Sequence, residues 1–355
     1  MADIDFSGKT NIKNNILVNR LETDGNVHTL KNIYLEYSSS FNGLIKGLNN
    51  SLENVNFENI TIKNTKSDSN NIGVIVNSNA ITIKNINIKN LTINAAGNYI
   101  GFISRAEGEN IKDINIDTAS LTGNNYVGIL TGRIEVKSVD NIYGTNVQIE
   151  AKGNYVGGIV GIVQNVANGH MKNVTIEGNS KINSSGSYVG GVVGNKDGNS
   201  AFQLQYIYAK NISVKGKDHV AGIGGTLIDA QHLYAENVNV EGNSYVGGVQ
   251  GDSGSIWIVS VKDSKIKATG NYVGGVSGGA NWGYWDIQVT NTKIESTGNY
   301  VGSLAGDFRS SITPYNLYAK DCIVEGNSYV GGITGRFKNN SLYKTYNNSE
   351  VIATN

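Results

Sequence analysis

Apolar and polar residues alternate along this chain in short runs. The segment from Tyr245 shows the pattern most clearly. Tyr245-Val246-Gly247-Gly248-Val249-Gln250-Gly251 is followed by a variable stretch, then Ile258-Val259-Ser260-Val261, then Ser264-Lys265-Ile266-Lys267, then Gly270. Each run has a side-chain period of two, is rich in Val and Ile, and is bounded by Gly, Asn or Ser. These are strand signals. No segment carries an apolar stripe of 3.6-residue period at helical length, so helical repeats are excluded. Clear copies of the unit start at Tyr99, Tyr126, Tyr155, Tyr188, Tyr245, Tyr272, Tyr300 and Tyr329, and degraded copies at Phe41, Ile72 and His219. The spacing averages about 29 residues, a period that marks a solenoid. The expected fold is all-β: a single parallel β-helix (β-solenoid) of about eleven coils, with three short strands per coil.

The repeats align position by position. In the second strand the outer pair of each triplet should face inward, as in Val55-Asn56-Phe57, Ile86-Asn87-Ile88 and Ile287-Gln288-Val289. Two residues on lies a near-constant turn position, held by Asn59, Asn90, Asn146, Asn211, Asn237 and Asn291, with Thr118, Asp263 and Asp321 as substitutes. Stacked amides there should form a structural ladder that bonds turn groups out of reach of water. The third strand buries pairs such as Ile60/Ile62 and Val238/Val240. Its outward row is expected to hold Thr61, Thr92 and Thr175, and Lys265 and Lys293 interrupt it, so the regular threonine face of an ice-binding surface is absent. In the motif itself, Val156 and Ile159 are both apolar yet three residues apart. A corner at the glycine pair places both inside. The eight motif tyrosines should then stack as a row along that corner, in an architectural role.

Residues 1–30 are irregular and read as an N-terminal cap or first irregular coil, 31–340 as the β-helix repeats, and 341–355 as a partial C-terminal coil. At about 4.8 Å per coil the body would be a rod of roughly 53 Å. The C-terminal edge, without an obvious polar cap, is expected to meet a neighbouring domain or another subunit.

The 29 basic and 29 acidic residues cancel, so nothing in the charge favours a nucleic acid or an anionic membrane surface. The chain holds 45 glycines but keeps a periodic apolar set, which separates it from disordered Gly-rich sequence. A lone cysteine, Cys322, forbids an intrachain disulfide and reads as a small filler. No run approaches about 18 apolar residues, so no membrane span is expected. Met1 to Thr10 lacks the form of a signal peptide.

The units at 155–161, 188–194, 272–278 and 329–335 resemble the GLUG motif, a repeat of bacterial surface proteins that include immunoglobulin-A-specific metallopeptidases. The likeness covers about residues 40–340, through the glycines, the preceding Tyr and the period. It implies a surface module, extracellular or at the cell surface and part of a larger chain or assembly. Peptidase activity does not carry over, because His28, His170, His219 and His232 form no His-Glu-x-x-His segment. No phosphate-binding loop, zinc spacing or cofactor motif is present.

One concentration of residues departs from the repeat. All three tryptophans, Trp257, Trp282 and Trp285, fall in two successive coils, with Tyr284 and Asp286 beside them. Aromatics, acids and amides together suit a carbohydrate ligand. Asp252 and Asp307 occupy the same position two coils apart, about 9.6 Å by ladder spacing, near the upper limit for inverting glycosidases. Arg309 should share their side of the strand. The plain alternative is that the tryptophans cover an apolar face and the aspartates form turns. Two functions follow as expectations: a non-enzymatic surface or appendage module (an adhesin stalk, receptor-binding or assembly protein), or a polysaccharide-binding or polysaccharide-cleaving β-helix, including a phage tailspike-like protein. The partners would be a carbohydrate or a host or cell-surface protein.

Overall fold

A computed structural model describes residues 4–5, 26–37, 43–45, 47–48, 50–80, 82–164, 166, 168–197, 202–310, 312–338 and 341–355. Among these described residues it is all-β, with no helix and 70% strand, and forms a parallel β-solenoid of about eleven turns roughly 28 residues apart. One line of inward residues shows the register. Val55, Ile86, Ile114, Ile142, Val174, Ile207, Leu233, Val259, Ile287 and Leu317 pair in succession from coil to coil. All ten are buried. Each coil alone could not cover its apolar residues, so stacking is what builds the core.

The chain turns on left-handed residues. Three rows of non-glycine residues with φ near +55° run the length of the stack. The first holds Asn54, Asn85, Asp113, Asn141, Asn173 and their equivalents. The second holds the expected asparagine ladder, and the third holds the motif tyrosines. Asn and Asp tolerate this conformation better than other side chains do, which accounts for their density at the bends. In the second row Asn59 Nδ2 donates to Asn32 Oδ1 at 2.9 Å, Asn90 to Asn59 at 2.9 Å, Asn237 to Asn211 at 2.7 Å and Asn291 to Asp263 at 2.6 Å. At Thr118 the line breaks, and Asn146 reaches Asp117 instead. The ladder is therefore real, but one expectation is corrected. Its residues are exposed, so it lines a solvent-facing corner. Thr175 is also relocated: it pairs with Tyr143 and Tyr208 on the second strand, outside the Thr61–Thr92 row.

The motif makes the expected corner. Val156–Gly157 is a short strand, the chain bends at Gly158-Ile159, and Val160–Val163 continues; Val156 and Ile159 are both buried. The last motif glycine explains the tightness. A Cβ on Gly278 would lie 2.4 Å from Tyr245 Cα, and one on Gly306 would lie 2.3 Å from Val273 N. Backbones of successive coils touch there, and only glycine fits.

The tyrosines stack as a row. Tyr99, Tyr126, Tyr155, Tyr188, His219, Tyr245, Tyr272, Tyr300 and Tyr329 follow one another at 4.4–5.2 Å between centroids. His219 takes a tyrosine's place. The residue before each ring ties coils together as well: Asn154 N–H donates to Asn125 Oδ1 at 2.7 Å and Ser187 N–H to Asn154 Oδ1 at 2.7 Å.

At the N-terminal side, Ile4–Asp5 pair in parallel with Leu30–Lys31, while residues 6–25, most of the expected cap, lie outside the described set. At the other side, Tyr343–Ala353 stacks in parallel on Tyr315–Gly326, with a register shift between Lys320 and Cys322. Cys322 is a buried filler; burial pushes its thiol pKa up, against a reactive role.

Candidate functional site

Asp307 sits on the short strand Ala305–Phe308. Phe308 points into the core and packs edge-on against Tyr284 at 5.2 Å, so Asp307 faces the other way, toward the tyrosine corner. The carboxylate is nonetheless fully buried. Two guanidiniums hold it: Arg336 Nε donates to Oδ1 at 2.6 Å and Arg336 Nη2 to Oδ2, and Arg309 Nε lies 3.2 Å from Oδ2. That carboxylate, first of all through its hydrogen bonds, holds the Arg336 pKa above the ordinary guanidinium value. The Arg336 guanidinium also lies 4.7 Å from the centre of the Tyr300 ring, a cation–π contact.

Arg309 then crosses one coil. Its Nη2 donates to Asp252 Oδ1 at 3.0 Å, and Asn281 Nδ2 donates to the same oxygen at 3.2 Å. The coil between carries Gly279 at this position, and a Cβ there would lie 2.4 Å from Asp252 Oδ1 and 2.7 Å from Arg309 Nη2. The glycine makes the crossing possible. Asp252, Asp307 and Arg309 are catalytic candidates from sequence alone, and this arrangement gives them no added support. Inverting glycosidases keep space for a water between two carboxyl groups. Here a guanidinium spans that space, and one carboxylate is sealed. The three residues are brought together as expected, but as an ion network that clamps coils.

The tryptophan region divides in two. Trp257 and Trp285 occupy the same row on adjacent coils, their rings 5.3 Å apart and within 7° of parallel. The next coils place Tyr315 and Tyr343 in that row, stacked at 5.5 Å. The Trp285 ring lies against Gly283, where a Cβ would come within 1.7 Å of it. Trp282, by contrast, is 56% exposed. Tyr284 is corrected from a surface candidate to a core residue: it is fully buried, and its hydroxyl accepts from Gln250 Nε2 at 2.6 Å. Asp286 belongs to the first corner row, where it accepts from Asn316 Nδ2 at 2.7 Å.

Sequence patterning missed two features here. Earlier coils fill the Trp257–Trp285 row with Lys84, Lys112, Asp140, Lys172, Gln205 and Gln231, so the row switches from polar to aromatic at Trp257. Aligning the residue two before each second-strand triplet would have exposed this switch. The second is Ile258, an exposed β-branched residue at φ 54° in a corner row otherwise held mostly by Asn, Asp, Tyr and His. A left-handed non-glycine residue costs roughly 1–2 kcal/mol.

Among the described residues no group of three or more His, Cys, Asp or Glu is placed to hold a metal ion, and no helix is long and apolar enough to cross a membrane. No family model matches the chain, and no curated protein or solved structure matches it either.

Proposed function

We propose that the protein is a non-enzymatic surface or appendage module, a stiff stalk that spaces and presents what its loops carry. One observation supports this most directly. The outward positions that recur from coil to coil are spent on coil-to-coil bonding: amide ladders at two corners and a nine-ring aromatic stack at the third. Such rows stiffen a rod along its axis and leave few groups for chemistry. The two best acid candidates are bound by arginines, which further favours scaffold over catalyst. The resemblance of the Tyr-Val-Gly-Gly units to the GLUG motif of bacterial surface proteins points to the same setting.

Antibody against the folded protein should label intact, unpermeabilised cells of the producing organism, or appendages sheared from them. Labelling only after permeabilisation would contradict the proposal.

A further inference from the structure

We propose that the aromatic strip on the later coils is a binding site for a neutral glycan, laid along the rod axis with Trp282 as its anchor. The proposal stands independently of the stalk reading, since a stalk need not bind sugar and a sugar-binding rod need not be a stalk.

The first support is the switch in the row itself. The fold does not require aromatics there, because seven earlier coils carry Glu, Lys, Asp or Gln at the same register. Trp257, Trp285, Tyr315 and Tyr343 then follow one another on four successive coils. Trp257, Trp285 and Tyr315 are partly exposed and Tyr343 is exposed, so positions a lysine fills elsewhere here present aromatic surface. The second support is exposure. Trp282 is more than half exposed and no described ring stacks on it, so a ring face is open. Ile258 and Ile312 are exposed on the neighbouring coils, and Ile258 holds a left-handed corner against its own backbone preference. An outlier of this kind is a pointer to function.

Charge selects the ligand class. The charged groups beside the strip are already engaged: Asp286 accepts from Asn316, and Lys344 Nζ donates to the Tyr315 hydroxyl at 2.7 Å. Asp286 and Lys344 carry opposite charges, so an anionic or cationic polymer finds no net counter-charge in them. Indole N–H and phenol O–H groups remain along the ring edges, and aromatic faces with such polar tips suit the mixed apolar and hydroxylated surface of a sugar. Geometry selects its form. The rows repeat every ~4.8 Å, close to the length of one pyranose ring, so an extended chain can repeat its contacts coil by coil. A sugar chain of three or four units covers the strip.

The test exploits composition. The chain has three tryptophans, all in this region, so tryptophan emission excited beyond the tyrosine absorption band reports on this region alone. The full chain is titrated with neutral oligosaccharides of four to six units (glucan, xylan, mannan and galactan fragments), with an oligogalacturonate as the acidic control. At least one neutral series should shift the emission saturably, with affinity rising with chain length. Trp282→Ala should weaken that binding about tenfold or more, a loss of about 1.4 kcal/mol or more. Trp285→Lys should weaken it also, while both variants keep the wild-type far-ultraviolet dichroism and melting transition to within a few degrees. Three outcomes overturn the proposal: no response to any neutral glycan at millimolar concentration, binding confined to the acidic control, or binding that Trp282→Ala leaves unchanged.

Discussion

Arg309 reaches across an intervening coil to place its Nη2 3.0 Å from the Asp252 carboxylate, while its Nε lies 3.2 Å from the buried carboxylate of Asp307. The contact joins two coils across a third through side chains alone. Removing the sealed partner leaves two guanidiniums without their shared counter-ion. Asp307→Ala should therefore destabilise by about 3 kcal/mol, whereas Asp252→Ala, at the more exposed end, should cost under about 1 kcal/mol. Chemical denaturation of the two variants checks the ranking, and equal costs would refute it.

The glycine contacts predict a second contrast. Gly278→Ala forces a Cβ against the Tyr245 backbone of the previous coil, while a Cβ on Gly47 meets nothing within 4 Å. The first should destabilise by about 2 kcal/mol or more, and the second by under about 0.5 kcal/mol. Thermal melts of the pair measure this directly.

The exposed asparagine corner has two separable parts, a bond and a backbone conformation. Asn90→Ala loses the donor to Asn59 and puts a Cβ residue without a local partner at φ 55°, at a cost of about 1–2 kcal/mol. Asn90→Gly loses only the bond and should recover about half of that loss. If both variants are equally stable, the conformation is not what selects Asn.

His219 interrupts the tyrosine stack, and burial lowers its pKa from the ordinary 6.5, with Asp252 and Asp218 offsetting part of the effect. Above 6.5 the imidazole is neutral in both folded and unfolded chains and contributes no pH dependence. As pH falls below 6.5 the unfolded chain takes up the proton first, so stability declines until the folded pKa is reached. Unfolding free energies between pH 7.5 and 5 should show this decline in the wild type, and His219→Tyr should flatten that part of the profile.

Lys196 is buried at the register position of Val163 on the preceding coil, and its Nζ donates to the Ile228 carbonyl at 2.6 Å. Burial lowers its pKa from 10.5 to about 8. The folded chain resists the charged form, so the penalty is complete below about 8 and disappears as pH rises through 10.5. Lys196→Met should be more stable at pH 7 by up to about 3 kcal/mol, and the gap should close between pH 8 and 10.5. A constant gap across that range would contradict the assignment.

Much of this fold can be read from residue spacing, because a solenoid states its rules once per coil. Val156 and Ile159 three apart already demand a corner, and the recurring Asn59, Asn90 and Asn291 already mark a bend. Solvent exposure of that ladder could not be read, since a stacked amide row satisfies itself on either side of the chain wall. The site was harder for a physical reason. Asp252 and Asp307 look like a pair of acids in sequence, but their chemistry is decided by Arg336, a coil further on, and by the missing side chain at Gly279. Tyr284 and Trp285 are adjacent, yet strand alternation sends one into the core and leaves the other at the surface.

Successive repeats stack in register, one coil per step, along the axis of the solenoid. Spin labels at the exposed second corner test this stacking most directly, in a Cys322→Ser background with pairs Asn90→Cys/Asn211→Cys, Asn90→Cys/Asn237→Cys and Asn90→Cys/Asn291→Cys. These positions are four, five and seven coils apart by the strand register. Pulsed electron–electron resonance should give backbone separations of about 19, 24 and 34 Å, rising linearly at ~4.8 Å per coil. Distances that fail to increase with coil number would contradict the account.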